Sequence, residues 1–152
     1  MPAPYTDACR PIPDLEETLR AAAEGAGCHA TVYPSTSLDG LAAAIPAALT
    51  AAAGRTAAIV FYAGSDFRLG APRRTSSLQL LLMRHSTGVS PAMDACLGAA
   101  RDIAAALDDR IGEEEAGGHP VTEHWLAESE EPMDTGSPSA AAILLTFKVE
   151  DY

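Results

Sequence analysis

Between Ile143 and Glu150 the chain alternates in a way only one kind of element satisfies. Ile143, Leu145, Phe147 and Val149 fall on one side of an extended backbone, and Thr146, Lys148 and Glu150 on the other. A period of two is the pattern of a strand with one buried face. Burying four such side chains contributes about 1.5–3 kcal/mol each, comparable with the whole stability of a small domain. The chain must therefore build a sheet and a layer to cover it.

Two further runs supply partners. Ala57–Tyr62 (AAIVFY) is a short continuous apolar run, as expected of a central strand. Thr75–Arg84 contains the run from Leu78 to Met83, which predicts a second buried strand, and Cys28–Tyr33, closed by Pro34, predicts a short one. The covering layer is constrained by composition: of 72 apolar residues 31 are alanine, so the helices must pack closely on few large side chains.

Three helices are predicted. The first starts at Asp14, with Glu17 three residues on in a capping-box pattern, presents Leu15, Leu19, Ala22 and Ala23, and stops at Gly25 and Gly27. The second spans Leu38–Ala53, kinked or divided at Pro46. In the third, Ser90 and Pro91 form an N-cap and first-turn pair, and Met93, Leu97, Ala100, Ala104, Leu107 and Ile111 recur at helical spacing. Gly64–Arg74, the acidic GEEEAGG segment and Glu130–Ser139 read as loops or turns, with Val121–Glu128 as an edge strand. This order predicts an α+β fold: a mixed or antiparallel sheet of about four to five strands, with helices packed mainly on one face. Residues 1–13, with four prolines, read as an extended arm, and residues 14–152 as a single domain.

The 10 basic and 21 acidic residues give a net charge of −11 and a pI of about 4.6. That field opposes a general grip on nucleic acid or an anionic membrane. The N-terminal segment shows no basic region followed by an apolar run, and no apolar stretch reaches the length of a membrane span, so the expectation is a protein made in a cytoplasm. Cys9, Cys28 and Cys96 lack a C-x-x-C pair, which argues against a disulfide framework or a zinc knuckle.

Searching for chemistry yields little. His119 and His124 are five apart, on opposite faces of any strand, and Cys28 and His29 are adjacent, so neither pair shares a face for metal ligation. His85 stands alone near the end of a predicted strand. G-x-S-x-G, H-E-x-x-H, Walker and G-x-G-x-x-G patterns are absent. Gly64, Ser65 and Asp66 follow a strand but open no strong helix, so a turn is a better reading than an anion site. Catalytic, cofactor and metal sites are not expected.

Charge distribution carries more. From Arg55 to Arg84 five arginines (Arg55, Arg68, Arg73, Arg74, Arg84) face one acid, Asp66; from Asp108 to Asp134 ten acids face one base, Arg110. Such segregation suits head-to-tail association, in which a basic patch of one copy meets an acidic patch of the next and the rotation closes into a ring. The candidate interface residues are Arg68, Arg73 and Arg74 on one side and Glu113, Glu114, Glu115, Glu130 and Glu131 on the other.

An amphipathic first helix, AAIVFYAGSDF, a strand ending in LLLMRH, the helix AMDACLGAARDIAAALDD and a final AAILLTFKVEDY together resemble the tail-completion proteins of Mu-like phages and the tail terminators of other long-tailed phages. The resemblance rests on segment order and strand texture from about Leu15 to Tyr152. It implies a structural protein with no catalytic residues. Such a subunit forms a ring, usually a hexamer, that caps the tail tube and stops its polymerisation. Its expected partners are other copies of itself, the tube protein and a head-completion or connector protein, with a sheath as a further candidate. The implied location is the head-proximal end of the virion tail, reached from the host cytoplasm. The proline-rich arm and the acidic stretch Glu113–Asp134 depart from the pattern. Two other readings share the architecture: a small ligand-binding or enzymatic domain using Ala63–Arg74 and His85, and an adaptor of a contractile secretion particle.

Overall fold

The computed structural model describes residues 11–34, 40–67, 74–86, 88–108, 111–116, 119–135 and 139–151. In chain order the elements are α1 (Ile12–Gly25), β1 (His29–Val32), α2 (Leu41–Ala52), β2 (Ala57–Phe67), β3 (Arg74–His85), α3 (Val89–Leu107), β4 (Ile111–Ala116), β5 (His119–Met133) and β6 (Ala140–Asp151). The six strands form one mixed sheet in the order β1-β2-β3-β6-β5-β4. Only β1 and β2 are parallel, joined across α2, and every other neighbour is antiparallel.

The fold is the expected α+β class, and alternation along the strands explains its layers. Leu78, Leu80 and Leu82 of β3 and Ile143, Leu145, Phe147 and Val149 of β6 face one way, where Leu15 and Leu19 of α1 and Cys96, Ile103 and Leu107 of α3 cover them. Trp125 of β5 joins this core, its ring edge-on to Phe147 at 6.1 Å and 69°. A smaller cluster on the opposite face packs Ala48 and Ala52 of α2 on Ala57, Ile59, Phe61, Leu81 and Met83. Two of the three helices thus share one face. Alanine on α2 and β2 lets helix and sheet approach closely there.

Several boundaries differ from the sequence reading. α1 begins at Ile12 with Pro11 as N-cap and no side-chain cap, so the Asp14–Glu17 capping box does not form; Glu17 instead pairs with Arg20 at 2.6 Å on the surface. Its end is a Schellman turn: Gly27 at φ +88° lets the Cys28 N–H reach the Ala23 carbonyl and its own N–H reach that of Glu24. α3 is capped by Gly88, which places Ser90 and Pro91 inside its first turn. Pro46 lies within an uninterrupted α2.

The largest corrections concern the expected loops. Gly64–Phe67 continues β2 beyond a bulge at Ala63, where Gly64 takes φ +118°. Ile111–Ala116 is the edge strand β4, so the GEEEAGG segment is mostly strand. β5 runs on to Met133 through Glu130 and Glu131, and it lies inside the sheet between β6 and β4. β4, read from the sequence as a turn, raises the strand count to six.

Candidate functional site

Each proposed charge now has a place in the sheet. Arg74 is the first residue of β3 and stands opposite Asp151 of β6, whose partner on the other side is Glu123 of β5. The Arg74 guanidinium donates to the Asp151 carboxylate from Nε at 2.8 Å and lies 2.6 Å from it through Nη2, and both side chains are buried. This overturns the expectation that Arg74 sits on a loop and faces a neighbour. Extending the β2–β3 hairpin to its register gives Arg74 a cross-strand carboxylate, and a desolvated guanidinium stays where it is neutralised. Glu123 is buried beside them and accepts from the Trp125 indole N–H at 3.0 Å.

Arg68 and Arg73 lie outside the described residues, in the segment joining β2 to β3. Glu113, Glu114 and Glu115 belong to β4, at the far lateral edge of the sheet from β2. Glu130 and Glu131 are exposed on β5, in register with Leu145 and Leu144, so they stand on opposite faces. Lys148 faces Glu128 at 3.4 Å, an exposed pair. In register Glu113–Glu115 stand beside Pro120–Thr122, beyond the Asp151 end of β6, and Glu130 and Glu131 lie toward its other end, so both acidic groups are on the β5–β4 side of the sheet but are not brought together.

Groups with reactive chemistry are dispersed. His29 and His124 occupy strands near opposite edges, and His85 is exposed at the end of β3. Among the described residues no three His, Cys, Asp or Glu side chains converge on a point that a metal could occupy. Cys28 and Cys96 are buried in the main core, and burial pushes each thiol up to about 11, which keeps it protonated and unreactive at neutral pH. Tyr62, Ser65 and Ser76 form a chain of hydroxyls: Tyr62 bonds Ser65, and Ser65 lies 2.9 Å from the fully buried Ser76. These bonds tie the bulged end of β2 to β3 and offer no activated nucleophile.

One concave surface was not foreseen. A groove of about 460 Å³ runs between α2 and the sheet, floored by Leu81 and Met83 and walled by Leu41, Ile45, Leu49 and Met133. The 44 % exposure of Met133 is the largest of any big apolar side chain among the described residues. The sequence signal was weak, because Met133 sits in a run of acids and a proline that reads as loop. No helix among the described residues is long and apolar enough to cross a membrane. No protein-family model matches the chain, and no curated protein is significantly similar to it.

Proposed function

We propose that this chain is the tail terminator of a phage or prophage, a structural subunit that closes into a ring, caps the tail tube and presents a joining surface to the head. The observation that carries the reading is the placement of charge. The strands β4 and β5, which carry Glu113–Glu115, Glu130 and Glu131, form one lateral side of the sheet, whereas Arg68 and Arg73 fall in sequence between β2 and β3. Complementary patches on different sides of one subunit suit a heterologous contact, which closes into a ring when the rotation allows. The α+β fold and the segment order that resembles tail-completion proteins support the same reading. In it the protein acts by shape and contact, with the tube protein and a head-completion protein as its further partners.

The direct experiment combines mass and function. Light scattering of the purified protein should give a ring mass, six copies on the resemblance, and negative-stain images should show annuli. Added to polymerising tube protein, it should stop elongation at one end. A protein that stays monomeric with tube protein present, while tubes grow without limit, would overturn the reading.

A further inference from the structure

The outline of the sheet bears on how one copy meets the next. β1 covers only the start of β2: the pairing runs from His29 opposite Ala57 to Val32 opposite Val60, with one last bond from the Tyr33 N–H to the Val60 carbonyl. From Phe61 to Phe67, β2 has no outer strand among the described residues. At the diagonally opposite corner β4 covers only His119–His124 of β5. The Asp108 carboxylate then accepts the Ala127 N–H at 2.8 Å, and Glu128–Met133 continue with no outer strand among the described residues. Each lateral edge of the sheet thus carries one short projecting strand and one open run of backbone. The register places β1 and β4 at opposite ends.

We infer that copies of this chain interlock edge to edge. β1 of one copy enters the open run of β5 in its neighbour, and that neighbour's β4 enters the open run of β2, so that one sheet crosses the contact. This rests on the ring reading and adds the surface through which the ring forms. Register agrees: His29–Val32 of β1 are level with Met133–Glu130 of β5, and Gly112 of β4 is level with Phe67 of β2, so β4 overlaps the open run through its first residues and continues past its end. Directions agree too, because a continued sheet sets β1 antiparallel to β5 and β4 parallel to β2, both pairings that sheets use.

Charge selects this contact over a two-fold one. Pairing β5 with β5 would set Glu128, Glu130 and Glu131 against the same acids, and like charges opposite each other destabilise strands. β1 carries no acid, so the acidic run of β5 meets no like charge there. The bulge at Gly64 and Pro132 in β5 are devices that blunt open edges against indiscriminate pairing.

Cysteine cross-linking tests this. Thr31 shares the sheet face of Ile59, and Ser129 and Glu131 share the face of Thr146 and Leu144, which is the α2 face for all three; all three are exposed. Within one chain β1 and β5 are four strand spacings apart, roughly 19 Å at about 4.8 Å each, whereas a disulfide needs Cα atoms within about 7 Å. In a Cys9→Ser background, Thr31→Cys/Ser129→Cys and Thr31→Cys/Glu131→Cys are oxidised mildly and run on a denaturing gel without reductant. At least one pair should give a ladder beyond the dimer, and the single variants should give none. An oligomer by light scattering with no ladder from either pair would overturn the interlock and leave the ring reading standing. Efficient dimers from Ser129→Cys alone would replace it with a two-fold contact. A monomer without a ladder would remove both.

Discussion

Arg74 and Asp151 lie 77 residues apart in the chain and directly opposite each other in the register of β3 and β6. Composition marks Arg74 as one of several arginines near a turn; only the pairing of two distant strands makes it internal, so its role was not legible in the sequence. Removing one member of a buried pair leaves the other charged and desolvated. Arg74→Met should therefore lower stability by about 3–5 kcal/mol, read as a drop in urea midpoint at pH 7. Adding Asp151→Leu should recover part of the loss, since a matched apolar pair leaves no orphan charge. Cys28 and Cys96, by contrast, are core thiols of the described structure. With Cys28 and Cys96 raised from 9.0 to about 11, the folded state holds protons that the unfolded chain loses above pH 9. Their stabilisation is complete below pH 9 and falls as pH rises toward 11. In Cys9→Ser protein at pH 8, both thiols should resist a thiol reagent until denaturant is added. Prompt reaction of either in the folded protein would place it at the surface.

At the scale of elements, strands with one or two apolar faces were readable and polar extensions were not. Ile143–Val149 alternates as predicted and fills the core, but Glu113–Glu115 has no apolar period, so β4 could be recognised only from its pairing with β5. The bulge at Ala63 shifts the period of β2 by one, which hides Gly64–Phe67 behind what reads as a turn. Helix ends were misplaced by two or so residues because Pro11 and Gly88 serve as caps where Asp14 and Ser90 had the better side chains. The packing of β6 makes a direct prediction. Phe147 is fully buried against Trp125, and Phe147→Ala should cost about 3–5 kcal/mol. Lys148→Ala removes only an exposed pair with Glu128, 45 % and 44 % accessible, and should cost at most about 1 kcal/mol. Thermal melts of the two variants at equal concentration separate them; similar midpoints would mean that β6 does not anchor the core.

For the whole molecule, the sequence displays two blocks of opposite charge but not their positions, which follow from strand order alone. β2 and β4 lie on opposite sides of the sheet, with β3, β6 and β5 between them. In the proposed ring the two blocks meet across copies. Because Arg74 is committed to Asp151, the surface test narrows to Arg68 and Arg73. Reversing both to glutamate should leave the free energy of unfolding within about 0.5 kcal/mol of the parent. Exposed pairs contribute about 0.2–1 kcal/mol each, and replacing attraction with repulsion at two sites should weaken self-association on the order of tenfold at 0.1 M salt. The difference should shrink at 1 M salt, where the screening length falls from about 10 Å to about 3 Å. Glu113→Lys/Glu115→Lys in the same chain should restore association, since attraction returns with its sign exchanged. Sedimentation of the three proteins at both salt concentrations decides it. Equal association of all three at 0.1 M would mean that subunits join through surfaces indifferent to these charges, and would leave the charge segregation without a part in assembly.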